Sequence, residues 1–211
     1  MLCSHGRTGF TRWALGSVAY TLAHESVVPT LVLRESEPAS LLSRSDAAQP
    51  LCALVPLDGS QLAETALAPA ADLVTALAAP AQGVLHLAQV VKLFPATAEE
   101  GFVSEINEEA LQHARTYLAT ARERLQATVK GLKLSITYSV ELETDVASAL
   151  VSLAEHGSEE KETEGVNACD LIAISTHGRA GLERWVMGSV MERLLNTTKL
   201  PMLIVRPQKK G

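Results

Sequence analysis

Between residues 50 and 207 short apolar runs alternate with longer stretches of helical periodicity. Leu51-Cys-Ala-Leu-Val55 is continuous and apolar, closed by Pro56 and by Asp58-Gly59, as expected of a strand covered on both faces. Leu62, Ala66, Ala70, Val74 and Leu77 then recur at helical spacing, with Ser60 placed as N-cap. Pro69 inside that pattern predicts a kink or local irregularity. A second strand fits Val84 to Val91. Past Pro95 and Gly101, a long helix carries Ile106, Ala110, Ala114, Leu118, Ala121 and Leu125 on one face.

Leu134 to Val140 alternates and is rich in β-branched residues, a third strand. Val146, Ala149, Leu150 and Leu153 mark a helix ending near Gly157. His156 to Asn167 is strongly charged and reads as an exposed loop. Leu171 to Ile174 is a fourth strand, a helix runs from about Ser189 to Asn196, and Pro201 to Val205 is a fifth strand. Strand–helix alternation with apolar strands predicts an α/β domain built on a parallel sheet. Ligands of such sheets sit beyond the carboxyl ends of the strands, beside the point where strand order reverses.

The N-terminal stretch repeats the C-terminal one. Residues 2–34 align without gaps onto residues 174–206, at a constant offset of 172. His5-Gly6-Arg7 matches His177-Gly178-Arg179, Arg12-Trp13 matches Arg184-Trp185, and Gly16-Ser17-Val18 matches Gly188-Ser189-Val190. Pro29, Leu31 and Arg34 match Pro201, Leu203 and Arg206. Arg7 and Arg12 ahead of the apolar stretch 13–23 imitate a signal peptide. The copy of that stretch lies deep in the chain, so it reads as a structural element. The chain is thus expected to hold the C-terminal part of one domain (1–34), a linker (35–49) rich in Ser, Glu, Asp and Ala, and a complete domain (50–207). Met1 falls where a strand should be half-formed, which suggests an N-terminally incomplete first copy. A lone strand–helix–strand piece cannot bury its apolar face unaided.

Composition narrows the function. With 47% hydrophobic residues the chain can fill a core. A net charge of −6 and only 4% aromatic residues argue against wrapping or stacking on nucleic acid. No run reaches the roughly twenty apolar residues of a spanning helix. Cys3, Cys52 and Cys169 are odd in number, scattered and without a CxxC, which argues against a disulfide framework or zinc site and fits a reducing cytoplasm.

Two segments end at the carboxyl edge of the predicted sheet: Pro56 to Ser60 and Ser175 to Gly178. The second continues for nine residues to Gly188-Ser189-Val190 at a helix start. Glycines allow close backbone approach, and a helix N-terminus offers unpaired N–H groups, a combination that suits an anion. Each residue also has a plainer reading. The glycines suit a turn and Ser189 a cap. Asp58 is either an acceptor for an amino or ribose group or a turn residue before the helix. His177, Arg179 and Arg184 either meet phosphate or are solvated, and Trp185 suits packing.

Val55-Pro-Leu-Asp-Gly-Ser60, Asp170-Leu-Ile-Ala-Ile-Ser-Thr-His-Gly-Arg179 and Gly188-Ser-Val-Met-Glu-Arg193 resemble the universal stress protein family over essentially all of 50–207, and 1–34 resembles the C-terminal part of a second such domain. The resemblance implies an open five-stranded parallel sheet in the order 3-2-1-4-5, with helices on both faces. The family's ATP signature is Gly, two residues, Gly, nine residues, Gly, then Ser or Thr. Here Gly178, Gly188 and Ser189 keep its phosphate half, while Ser175 replaces the first glycine and Cys3 does so in the other copy.

By this resemblance Asp58 and Val90 face adenine, and Pro56 and Ser175 lie near ribose. Gly178, Arg179, Gly188, Ser189, Val190 and Met191 hold phosphates. The 1–34 copy matches the loop at Gly6, Gly16 and Ser17 but has no counterpart of Asp58 or Val90, so it is expected to form no complete pocket. The resemblance thus implies a cytoplasmic stress-response module binding ATP, with or without Mg²⁺. It would act through conformation or partner binding with little or no turnover, because GxxxxGK[ST] is missing from the sequence. Members of that family pair through their last strands, so the resemblance implies Thr30–Leu33 antiparallel to Met202–Val205, or self-association of Met202–Val205 with a second chain. The alternative is a dimeric interaction module of the same family that works without nucleotide.

Overall fold

The computed structural model describes residues 2–3, 21–22, 25–33, 50–93, 100–158, 167–176 and 188–207. Its strands are β1 (Leu2–Cys3), β2 (Thr30–Leu33), β3 (Leu51–Pro56), β4 (Gly83–Lys92), β5 (Leu134–Glu143), β6 (Leu171–Ser175) and β7 (Met202–Val205). The helices are α1 (Gln61–Glu64), α2 (Leu67–Ala78), α3 (Glu100–Thr128), α4 (Val146–His156) and α5 (Ser189–Thr197). All strands share one sheet in the order β1-β2-β7-β6-β3-β4-β5. From β5 to β7 every pairing is parallel, in the order the resemblance implies.

Period-two alternation splits the apolar residues between the two faces of the sheet. On one face Ala53, Val55, Leu85, Leu87 and Ala173 pack under Ala70 and Val74 of α2 and Ala114, Leu118 and Ala121 of α3. On the other, Leu54, Ala88, Ile172 and Ile204 pack under Leu150 and Leu153 of α4 and Met191 and Leu194 of α5. β3 is buried throughout, as its unbroken apolar run requires. Ile106, expected in the core, is 37% exposed. A 29-residue helix runs about 43 Å against about 33 Å for the ten-residue strands beneath it, so one end overhangs.

The irregularity predicted from Pro69 lies just upstream of it. Thr65 and Ala66 form a turn between α1 and α2, and Pro69 occupies the first turn of α2. A proline ring clashes with the carbonyl four residues back, which here is Thr65, so the helix breaks there. Gly83 begins β4 where α2 lies close against the sheet. A Cβ at that position would collide with Cγ1 of the buried Val74.

The N-terminal strands extend the sheet beyond β7. β2 runs antiparallel to β7, with Thr30, Leu31 and Val32 opposite Ile204, Leu203 and Met202, the expected pairing. Arg206 secures the junction by donating to the Glu25 carbonyl at 2.9 Å. β1 pairs parallel with β2, Leu2 opposite Val32 and Cys3 opposite Leu33. Each of these positions plus 172 gives Ile174 opposite Ile204 and Ser175 opposite Val205, the register of β6 on β7. The sequence repeat is therefore also a repeat of strand register.

Candidate functional site

β3 and β6 lie side by side at the centre of the sheet, with their connections leaving to opposite sides. Just past Pro56, Leu57 still donates to the Ala88 carbonyl at 2.8 Å, and then the chain turns into α1. Asp58 Oδ1 accepts from the Ser60 amide at 2.9 Å and from the Ser60 hydroxyl at 2.6 Å. Ser60 Oγ in turn accepts from the Ala63 amide at 3.2 Å, making Ser60 the N-cap that its position predicts. Gly59 between them has φ +86°, a left-handed conformation that explains the glycine. The turn-residue reading of Asp58 thus describes what one of its oxygens does.

Behind this turn, Glu64 Oε1 accepts from Tyr117 Oη at 3.0 Å and pairs with Arg124 at 2.9 Å, tying α1 to α3. Burial, and then the Glu64 carboxylate, push the Tyr117 phenol above its ordinary range, so it stays a donor.

On the opposite side of the strand ends stands the N-terminus of α5. Gly188, and not Ser189, is its N-cap, and among the described residues no side chain caps its first turn. Ser189 is the first helical residue and is exposed. The Gly188 amide donates to the Thr176 carbonyl at 3.2 Å, and the Thr176 amide donates to Val205 at 2.9 Å, which fixes the helix start against β6 and β7. Gly188 has φ −59° and ψ 140°, open to any residue. The nearest atom to a Cβ built there is the Thr176 carbonyl oxygen, at 3.7 Å, an ordinary contact. Among the described residues the fold does not require glycine here; a close approach by a ligand would.

A hollow of about 240 Å³ lies between these parts. Pro56, Asp58, Val90, Ser175, Gly188, Ser189, Val190 and Met191, singled out from the sequence, all line it. Gly178, Arg179, His177, Arg184 and Trp185 fall outside the described residues, as do Gly6, Gly16 and Ser17 of the other copy. Met191 lines the hollow yet is 2% exposed and packs in the core. Ser175, in the place of a glycine, is buried and lines the hollow, with its hydroxyl 3.5 Å from Thr65 Oγ1 in the turn after α1.

Further lining residues escaped the sequence reading: Ala88, Ile174 and Thr176 from the strand ends and Val146 and Leu150 from α4. The periodicity of α4 marks Val146 and Leu150 as core-facing without showing that this end of the helix opens on a hollow. Ala88 carried a usable signal, since it stands two residues from Val90 on one face of a strand. The walls are mostly apolar, with one carboxylate at Asp58 and the positive end of a helix at the far side, an arrangement suited to a flat apolar group carrying an anionic tail.

The wall helices are clasped at their outer ends. Asp145 caps α4 by accepting from the Ala147 and Ser148 amides at 3.2 and 3.3 Å, and pairs with Arg193 of α5 at 2.6 Å. The Arg193 hydrogen bond, with help from the Ser148 amide, holds the Asp145 carboxyl down to about 2. Among the described residues no cluster of His, Cys, Asp and Glu could hold a metal ion, and no helix is long and apolar enough to cross a membrane.

Comparison with known proteins identifies the family and the fold. The model of the universal stress protein family matches residues 53–206. Universal stress protein MJ0531 of Methanocaldococcus jannaschii is 31% identical over 93 residues, 42% of this chain and 49% of that protein. The chain thus spans about half the length of this curated relative. Among solved structures, the hypothetical protein MJ0577 has a TM-score of 0.57 at 20% identity, over 76% of this chain and 98% of its own. UspA from Lactobacillus plantarum has a TM-score of 0.57 at 19% identity, over 75% of this chain and 99% of its own. PA1789 from Pseudomonas aeruginosa, of unknown function, has a TM-score of 0.59 at 15% identity, over 98% of this chain and 62% of its own. At these identities the structural likeness speaks for the fold.

Proposed function

The chain belongs to the universal stress protein family, and from that premise we propose that it binds an adenine nucleotide, ATP with or without Mg²⁺, in the hollow beside Asp58 and Gly188. The observation that carries this reading is Gly188. Among the described residues it is a glycine in an unexceptional conformation, with room for a side chain and no side-chain cap, at the start of a helix facing an open hollow. Backbone amides of Gly188, Ser189 and Val190 would take phosphate oxygens. The apolar wall at Val90 and Ala88 would take the base, and Asp58 would accept from its amino group. Gly178 and Arg179 complete the phosphate side in this proposal.

The bound nucleotide would supply anionic charge that draws the start of α5 toward the ends of β3 and β6, changing the surface shown to partners. Little or no turnover is proposed, because the described lining offers no base paired with a nucleophile. Titration calorimetry of the full chain with ATP-Mg is expected to give one site with saturable heat, reduced by Asp58→Ala. No heat from protein that is folded by circular dichroism would reject the proposal. Release of product at rates of order 1–10³ s⁻¹ would reject the low-turnover part.

The same proposal includes a cytoplasmic location and self-association through β7. In this reading residues 1–34 are part of a second domain of the same kind, joined through linker 35–49 to a complete domain at 50–207. β2 covers the edge of β7, and a second chain would take that edge if β2 left it.

A further inference from the structure

Cys52 and Cys169 are 117 positions apart in the chain, yet their sulfurs stand 2.7 Å apart in the core. Cys52 is the second residue of β3, and Cys169 comes two residues before β6. They meet at the amino ends of these strands, the opposite edge of the sheet from the hollow. The backbone around them is clamped. The Cys52 amide donates to Asp170 Oδ2 at 2.8 Å, the Asp170 amide donates to the Cys52 carbonyl at 2.8 Å, and the Cys169 amide donates to the Ala154 carbonyl at 2.7 Å. Among the described residues the sulfurs contact each other, Cys169 Sγ also stands 4.0 Å from the Asn167 carbonyl, and the Asp170 carboxylate lies near enough to act on Cys169.

We propose that Cys52 and Cys169 are a redox modification site, closed to an intramolecular disulfide by a small peroxide. The sulfurs stand about 0.7 Å beyond bonding distance, so closing the bond asks for a small approach of the two side chains. One cysteine, as thiolate, attacks a peroxide oxygen; the O–O bond breaks, a sulfenic acid forms and hydroxide leaves, taking a proton to become water. The second sulfur then displaces the sulfenic hydroxyl, which departs as a second water with that thiol's proton. Two thiols lose two electrons in total and one peroxide gains them.

Burial selects the oxidant. Both cysteines are buried, 6% and 5% exposed, which favours a small peroxide over a bulky disulfide reagent. The shared hydrogen with Cys52, and then burial, push the Cys169 thiol up, so Cys169 rests protonated and reacts slowly. Cys3, the third cysteine, sits on β1, with β2 and β7 between its strand and β6, so the native fold offers it neither sulfur. The bond would join β3 to β6, whose far ends carry Asp58 and Ser175 at the hollow.

The test treats folded full-length protein with hydrogen peroxide, followed by thiol counting and peptide mapping without reductant. The expected result is loss of Cys52 and Cys169 thiols together, a single cross-linked peptide pair containing both, and recovery of both thiols with dithiothreitol. The urea midpoint should be higher in the oxidised form. A Cys3→Ser variant should behave identically, whereas Cys169→Ala should lose the cross-link and leave Cys52 as a sulfenic acid, trapped by dimedone once the oxidised chain is unfolded. The proposal is overturned if peroxide leaves both thiols free at a dose that oxidises the unfolded chain. It is equally overturned if it drives either cysteine to sulfinic acid without a cross-link, or links Cys52 or Cys169 to another molecule.

Discussion

Leu31 sits opposite Leu203 across the antiparallel junction of β2 and β7, and these two leucines are the same position in the two copies of the repeat. Thr30 opposite Ile204 and Val32 opposite Met202 complete a local two-fold centred on that pair. Two copies of one segment meeting about a two-fold make the kind of contact that a symmetric dimer makes between chains. Here it is made within one chain.

Val32, at 2% exposure, is the inward anchor of that contact, packed with Met202 and Ile204. Val32→Asp would bury an unpaired carboxylate, a cost of several kcal/mol that the four-residue β2 cannot offset. The segment should detach, become susceptible to limited protease, and leave β7 as an open edge. Light scattering should then report a higher mass than for the parent. An unchanged mass together with unchanged protection would show that β2 is not what shields β7.

Gly188→Ala separates fold from binding. Its backbone conformation accepts alanine and the nearest atom leaves room, so stability in urea should stay within about 1 kcal/mol of the parent, or rise slightly as the unfolded chain loses freedom. Affinity for ATP-Mg by calorimetry should drop at least about tenfold, which corresponds to about 1.4 kcal/mol. Equal affinity in the two proteins would mean that no ligand approaches Gly188 closely.

His86 gives the acid side of the stability curve a definite shape. It is fully buried, with Nδ1 2.8 Å from Thr137 Oγ1 and Nε2 2.9 Å from Ser139 Oγ. Burial lowers it from 6.5 to about 4. The unfolded chain therefore binds a proton that the folded chain refuses between those values. Stability is full above pH 6.5 and falls as pH drops toward 4, by up to about 3 kcal/mol from this one group. Urea midpoints across that window should show the fall in the parent and a flatter profile in His86→Gln. Proton NMR showing His86 titrating near 6.5 would contradict this.

Asp145 acts at lower pH. Its folded value of about 2 lies below the ordinary 3.8, so its contribution is present above pH 4 and lost as pH falls through 2. Asp145→Asn keeps an acceptor for the α4 cap but removes the charge facing Arg193. The variant should lack the part of acid destabilisation that the parent shows between pH 4 and 2, and the difference should shrink in high salt. Parallel parent and variant profiles would mean that the Arg193 pair is inconsequential.

The periodicities of the sequence determined a good deal: five strands within a residue or three of their observed ends, the helices between them, the Ser60 cap and the stop at Gly157. These are local properties, in which each residue's propensity and its alternation or 3.6-residue spacing act over a single turn or strand. The repeat, read together with the family resemblance, also carried the antiparallel meeting of β2 and β7. Tertiary structure alone decided that Gly188 rather than Ser189 caps α5, that the Ser175 hydroxyl lies toward Thr65, and that α4 contributes Val146 and Leu150 to the hollow. It alone brought Cys52 to Cys169, two cysteines whose spacing in the chain argued against any pairing. Each of these depends on which strands become neighbours, and pairing between β3 and β6 joins residues more than a hundred positions apart, beyond the reach of any local pattern.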